Sequence, residues 1–285
     1  MFKKPKVSVL MPVYNTKEAY LRTAIESILK QTFNDFEFLI MNDNSTDENV
    51  EKVIRSYKDK RIVYSKNTKN LGISGARNKL IDMAKGDYLA VMDHDDESLP
   101  DRFEKQVKFL DAHPDVGVVG SWAETFPVKR LIKQPETDEK IKEKTMVGAA
   151  LVHPASMIRK KVLTDNKIGY ENVFSPAEDY ALWARLIPFT KFHNLQEVLF
   201  HYREHQTNTF RVQNKKIKEG TAMIHAFVRR ENPQLWERAQ ALMTHVTRVS
   251  FLGVPFLTIR THNHKTKVSL FKIIPLLSWR DKNTL

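Results

Sequence analysis

Tyr88-Leu89-Ala90-Val91-Met92-Asp93-His94-Asp95-Asp96 runs from five residues suited to a sheet interior straight into three carboxylates within four positions. Carboxylates crowded this closely repel one another and persist where a cation or a substrate group neutralises them. In an extended chain alternate residues share a side, so Asp93 and Asp95 can face one hard divalent ion. The competing reading is a solvated acidic turn that caps the next helix.

Working outward, short β-branched runs alternate with amphipathic helical patterns through the first 120 residues, the pattern of βαβ units and a mostly parallel sheet. Val7 to Met11 reads as a first strand stopped by Pro12, Lys17 to Gln31 as a helix, and Phe36 to Met41 as a second strand. Ser45-Thr46-Asp47 supplies caps for a helix to about Tyr57. Arg61 to Ser65, Asp87 to Met92 and Val116 to Gly120 complete the strands, with helices over Ser74 to Lys85 and Pro100 to Ala112. Ligands of open α/β sheets gather beyond the carboxyl ends of strands. Tyr14-Asn15, Asn42-Asp43-Asn44 and Asp93-His94-Asp95 all fall there, so three polar clusters are expected on one rim. Beyond residue 120 the pattern is less regular: a charged, loop-like stretch from Lys129 to Lys144, strands at Ala155 to Ile158 and Val198 to Tyr202, and a helix from Pro176 to about Leu186. Two more helices are expected over Asn214 to Arg230 and Pro233 to Val249.

The chain has 285 residues, 41% of them apolar, and no cysteine, which excludes disulfides and thiolate metal sites. Neither a secretory signal nor an apolar stretch of about 18 residues is readable, so no membrane crossing is expected. Net charge is +12, of which +10 falls between His201 and Leu285. From Arg238 to Arg280 there are seven Lys and Arg and no carboxylate. Such a block favours an anionic partner: a phosphate-bearing glycolipid, an anionic membrane or nucleic acid.

Six motifs in order carry a resemblance. They are Pro12-Val13-Tyr14-Asn15, Asn42 to Asp47, Asn70-Leu71-Gly72 with Ala76-Arg77-Asn78, Asp93-His94-Asp95, Ala177-Glu178-Asp179-Tyr180 with Trp183, and Tyr202-Arg203-Glu204-His205. Over roughly residues 5 to 210 the chain resembles the inverting family-2 glycosyltransferases of the GT-A fold, most of all bacterial enzymes that extend lipopolysaccharide or capsule chains. The resemblance implies an α/β fold of Rossmann-like type, a mostly parallel central sheet flanked by helices. Residues 1–210 would be the catalytic domain, with a nucleotide-sugar half to about 120 and an acceptor half from about 121. Residues 211–285 would form a helical, basic C-terminal extension.

The resemblance also implies roles. Asp95 would bind Mn²⁺ or Mg²⁺, and Asp93 would contact the ribose or the metal. His205 would join them from a C-terminal flap with Arg203 beside it, and His94 would be a spacer. Asp43 would accept the uracil N–H of a UDP-sugar, with Asn44 in the left-handed turn that glycine often fills. Pro12, Val13, Tyr14, Asn15 and Asn70 would complete the nucleotide pocket, and Arg77 would reach the phosphates. Asp179 would be the base that takes the acceptor's hydroxyl proton, with Glu178 the other candidate, and Trp122 and Trp183 would lie against the acceptor. The acceptor would be a saccharide or glycolipid, and nucleic acid is not expected as a partner. The tail from Lys265 to Arg280 mixes cations with Phe271, Ile273, Ile274, Leu276, Leu277 and Trp279, which suits an anionic membrane interface on the cytoplasmic face of the inner membrane. Two other classes stay open on the residues alone. A sugar-phosphate nucleotidyltransferase would call for a glycine-rich loop where Pro12-Val13-Tyr14-Asn15 stands, and a non-catalytic binder of anionic polymers would find its phosphates repelled by the acidic rim.

Overall fold

The computed structural model describes residues 4–208, 212–242, 244–251, 254–262, 265–270 and 274–280. The chain divides into two compact units, Met1–Val228 and Arg229–Leu285.

The first unit begins with β1 (Val7–Val13), α1 (Glu18–Leu29), β2 (Phe36–Asn42), α2 (Glu48–Ser56), β3 (Ile62–Lys66), α3 (Gly72–Met83) and β4 (Tyr88–Val91). Their order is β3-β2-β1-β4, all parallel. Every residue of β1 and β2 is buried, which explains why they read as continuous apolar runs without alternation. Asp47 caps α2 by accepting the Asn49 N–H.

β1 does not stop at Pro12. The Leu10 carbonyl accepts the Met92 N–H on the β4 side, and by alternation the Pro12 nitrogen faces the same side, past the last residue of β1 that β4 pairs. A missing N–H costs nothing there, and the strand carries on along β2 to Val13.

The sheet continues through β5 (Glu97–Ser98), β6 (Val116–Phe126), β7 (Leu131–Ile132), β8 (Met157–Arg159) and β9 (Lys191–Arg203) in the order β4-β8-β6-β9-β5, with β7 on β6. β8 runs antiparallel to both β4 and β6, while β9 lies parallel to β6 and antiparallel to β5, so the sheet is parallel in its first half and mixed beyond. Helices α4 (Arg102–Ala112), α5 (Asp138–Thr145), α6 (Lys160–Asp165) and α7 (Glu178–Leu186) connect these strands. Arg102 is completely buried where the direction changes, and one of its terminal nitrogens donates to the carbonyls of Val91 and Ser156, both at 2.9 Å. The chain then forms α8 (Asn214–Glu231) and α9 (Pro233–Leu242).

The expected helical extension holds to Leu242 and needs correction beyond it. Past Leu242 the chain forms a four-stranded antiparallel sheet of β10 (Thr244–Phe251), β11 (Val254–His262), β12 (Lys265–Leu270) and β13 (Ile274–Arg280). Thr244, Val246, Thr247 and Val249 are β-branched and favour strands, which outweighs the apparent helical period up to Val249. Phe271, Lys272 and Ile273 of the expected interfacial tail lie outside the described residues. Among the described residues no helix is long and apolar enough to cross a membrane.

Candidate active site

The loops after β1 and β2 are clasped to each other. Asn15 and Asn44 both adopt left-handed backbone, φ 45° and 59°, a region asparagine tolerates better than most residues. Asn15 Oδ1 accepts the N–H groups of Thr46 at 2.9 Å and Asp47 at 3.3 Å, while Ser45 Oγ accepts the Asn15 N–H at 3.1 Å. Asn42 Oδ1 closes the turn on the Ser45 N–H. Asp43 is thereby held buried, its carboxylate accepting from Asn67 Nδ2 at 2.6 Å and the Leu71 N–H at 2.9 Å. Asn70 donates to the Asp43 carbonyl and accepts the Gly72 N–H, which fixes the start of α3 against the same loop.

Past β4 the acidic run spreads over three environments. Asp93 Oδ1 accepts from Arg77 Nη2 at 2.9 Å. Asp95 Oδ2 lies 2.8 Å from His205 Nε2. Asp96 is buried and accepts the Arg203 N–H at 2.7 Å; burial, followed by the charges of Asp95 and Asp93, holds its carboxyl well above the usual range. The flap after β9 is braced at several points. Arg203 donates from Nε to the Asp95 carbonyl and lies over the rings of Tyr20 and Phe126, His205 stacks on Tyr20 with ring centres 5.4 Å apart, and Thr207 Oγ1 meets His205 Nδ1 at 2.9 Å.

The third wall is the first turn of α7. Glu178 is buried and accepts from Arg77 Nη1 at 2.8 Å. Asp179 is half-buried and, among the described residues, accepts only its neighbour's N–H, that of Tyr180, at 2.7 Å. Burial, then the adjacent Glu178 charge, push the Asp179 carboxyl up to about 6, against the pull of Arg77.

These groups enclose one cleft of about 1130 Å³. Of the candidate catalytic, nucleotide, metal and acceptor residues named from the sequence, all but Arg203, Trp122 and Trp183 line it. Arg203 works as the strut just described. Trp183 cannot touch an acceptor: it is fully buried in the core, tilted against His153 at 5.6 Å. Trp122 stands outside the lining, its Nε1–H donated to the Gln134 carbonyl and its ring covered by Lys133. Several lining residues went unread in the sequence. His153 sits buried at the wall, its Nε2 2.8 Å from the Tyr170 hydroxyl, and Gln213, just ahead of α8, enters with Ile217 and Thr221 of its first turns at intervals of four. That spacing puts one helix face on the cleft and was legible. The burial of Asp96 and the reach of His153 depend on distant strands and were not.

Among the described residues no three histidines or carboxylates are gathered around one point as a complete metal cage. The donor set of Asp95 and His205 nevertheless fits two adjacent positions of an octahedral ion, whose ligands stand about 2.9 Å apart when the bonds are about 2.05 Å. Magnesium-type sites characteristically take one or two side chains and complete the shell with water and phosphate oxygens.

A parallel half with a polar rim, joined to a mixed half that carries a paired acidic helix start, defines an enzyme of the GT-A sugar-transferring class. Residues 8–166 match the family described as glycosyl transferase family 2, and the chain belongs to that family. An uncharacterised glycosyltransferase of Methanocaldococcus jannaschii is 37% identical over 75% of this chain and 76% of its own length. The Escherichia coli protein WfaP, a UDP-Glc:α-D-GlcNAc-diphosphoundecaprenol β-1,3-glucosyltransferase, is 30% identical over 75% of this chain and 82% of its own. Among solved structures, Staphylococcus aureus TarS 1–349 in complex with UDP-GlcNAc superposes with a TM-score of 0.65 at 18% identity, over 82% of this chain and 79% of that one.

Proposed function

We propose that this protein transfers a sugar from a UDP-sugar, with inversion, to a hydroxyl of a saccharide carried on a lipid-linked cell-surface glycan. The observation that carries the reading is the division of the cleft: Asp43, Asp95 and His205 on the sheet rim, and Asp179, the freer of two helix-start carboxylates, on the α7 wall. Asp43 and Asn70 hold the nucleotide base, and the lipid-linked acceptor and the UDP donor named for WfaP agree with that assignment. Asp95 and His205 would hold a divalent cation, Mn²⁺ or Mg²⁺, which neutralises charge developing on a departing diphosphate. Asp179 takes the proton of the acceptor hydroxyl while that oxygen attacks the anomeric carbon from the face opposite the nucleotide, and the bond from that carbon to the diphosphate oxygen breaks. Proton uptake needs the ionised carboxylate, so a group titrating near 6 is poised as a base at neutral pH.

The basic C-terminal third supports a peripheral place on the cytoplasmic face of an anionic membrane. From Arg238 to Arg280 the sequence carries seven Lys and Arg and no carboxylate, a charge that an anionic surface would neutralise.

The test is a thermal-shift panel of UDP- and GDP-sugars with and without Mn²⁺, followed by assignment of the product anomer by NMR. A selective, metal-dependent rise with a UDP-sugar and an inverted linkage are expected. A GDP-sugar preference would overturn the nucleotide assignment, and a retained linkage the base assignment. Asp95→Ala should lower kcat/KM by about 10³-fold and remove the metal dependence of UDP binding; unchanged activity in chelator would rule out the cation.

A further inference from the structure

Arg77 extends from α3 and ends between carboxylates from distant parts of the chain, Glu178 at 2.8 Å and Asp93 at 2.9 Å. It is 5% exposed and Glu178 6%, so both line the cleft with little more than an edge while their charged ends are turned on each other. The seat is fixed as well. The guanidinium lies over the Tyr170 ring, and Tyr170 is held by Asn78 at both its backbone N–H and its carbonyl and by His153 at its hydroxyl. One cation touching two carboxylates presents a net negative cluster to its surroundings, a poor way to bind a diphosphate.

We propose that Arg77 is a positioning residue of the base helix, not a ligand of the donor's phosphates: by tying Glu178 to Asp93 it holds the first turn of α7 and leaves Asp179 as the carboxylate that meets the acceptor. The proposal rests on the glycosyl-transfer reading above and settles which of the two neighbours is the base. Adjacent residues on a helix point in different directions, so pinning one sets the aim of the other. Removing the guanidinium alone strands a buried Glu178 charge beside Asp179, and a neutral glutamine at 178 takes that charge away.

The experiment uses the full chain and three variants, Arg77→Gln, Arg77→Gln with Glu178→Gln, and Arg77→Lys, with UDP binding by calorimetry and transfer at saturating donor. Arg77→Gln should lose about 10²-fold in kcat while its UDP Kd stays within about threefold, and the added Glu178→Gln should return tenfold or more of the loss. Arg77→Lys, which keeps the charge but cannot fork between two carboxylates, should fall between wild type and Arg77→Gln. A UDP Kd weakened tenfold or more in Arg77→Gln with kcat kept, or no recovery in the double variant, would overturn the proposal. If Arg77→Gln does not fold, Arg77→Lys decides on the same split of Kd against kcat. Absence of transfer by the wild-type protein from every nucleotide-sugar would instead defeat the functional reading, a result distinct from any of these.

Discussion

Asp179 carries two consequences that one substitution separates. As the proposed base it must be ionised, so kcat/KM should fall tenfold per pH unit below about 6, measured with a saturating second substrate. As a half-buried acid beside the Glu178 charge it has a folded-state proton affinity above that of the unfolded chain, so its contribution to stability is fully present below about pH 4 and is lost as pH rises through about 6. Asp179→Asn should therefore cut kcat by 10² or more, leave the UDP Kd within about threefold, and stabilise the fold by roughly 1–3 kcal/mol at pH 8 but not at pH 4. Parallel melting curves at the two pH values check the sign; equal gains at both would mean that the carboxyl is not strained. Much of the site was visible at this scale because Asp43, Asp93, Asp95 and Asp179 sit in short motifs at strand and helix ends. Trp183 was misassigned because a sequence shows a ring but not what covers it, and the ion pair of Arg77 was out of sight because Glu178 lies 101 positions away.

The elements of the parallel half were legible as continuous apolar runs, and their errors were confined to ends, as at Pro12. The mixed half was harder, because β6 and β9 pair along more than ten residues in which polar and apolar side chains follow neither clean period. What joins α3 to β4 depends on one small residue. A Cβ on Gly86 would sit 2.5 Å from the Ser8 nitrogen and 2.7 Å from the Val7 carbonyl carbon, backbone atoms of the strand at the centre of the parallel half. Gly86→Ala should cost about 1–3 kcal/mol by denaturant unfolding, because β1 and β4 would have to part where they pair. A change below a few tenths would show that the connection can shift freely.

At the scale of the whole molecule the charge of +12 is unevenly spent, with the strands from Thr244 onward carrying cations and no carboxylate. Replacing Arg248, Arg260, Lys265 and Lys267 together by Gln should weaken binding to anionic phosphatidylserine vesicles at least tenfold, at roughly 1 kcal/mol for each cation near the surface, and should flatten its salt dependence. Transfer to a water-soluble acceptor should persist, since every described residue that lines the cleft precedes Arg229. Unaltered vesicle binding would assign the basic block another purpose.

The face of α8 that brings Ile217 and Thr221 to the cleft, with Gln213 just ahead of it, lies outside residues 8–166, the stretch that matches the family. On the reading proposed above, residues beyond 166, Asp179 and His205 as well as this helix face, complete the cleft that the matched stretch begins. Substitution along that helix therefore reshapes one wall of the cleft while leaving Asp43, Asn70 and Asp95 untouched, a freedom open to an engineer who grafts it between relatives.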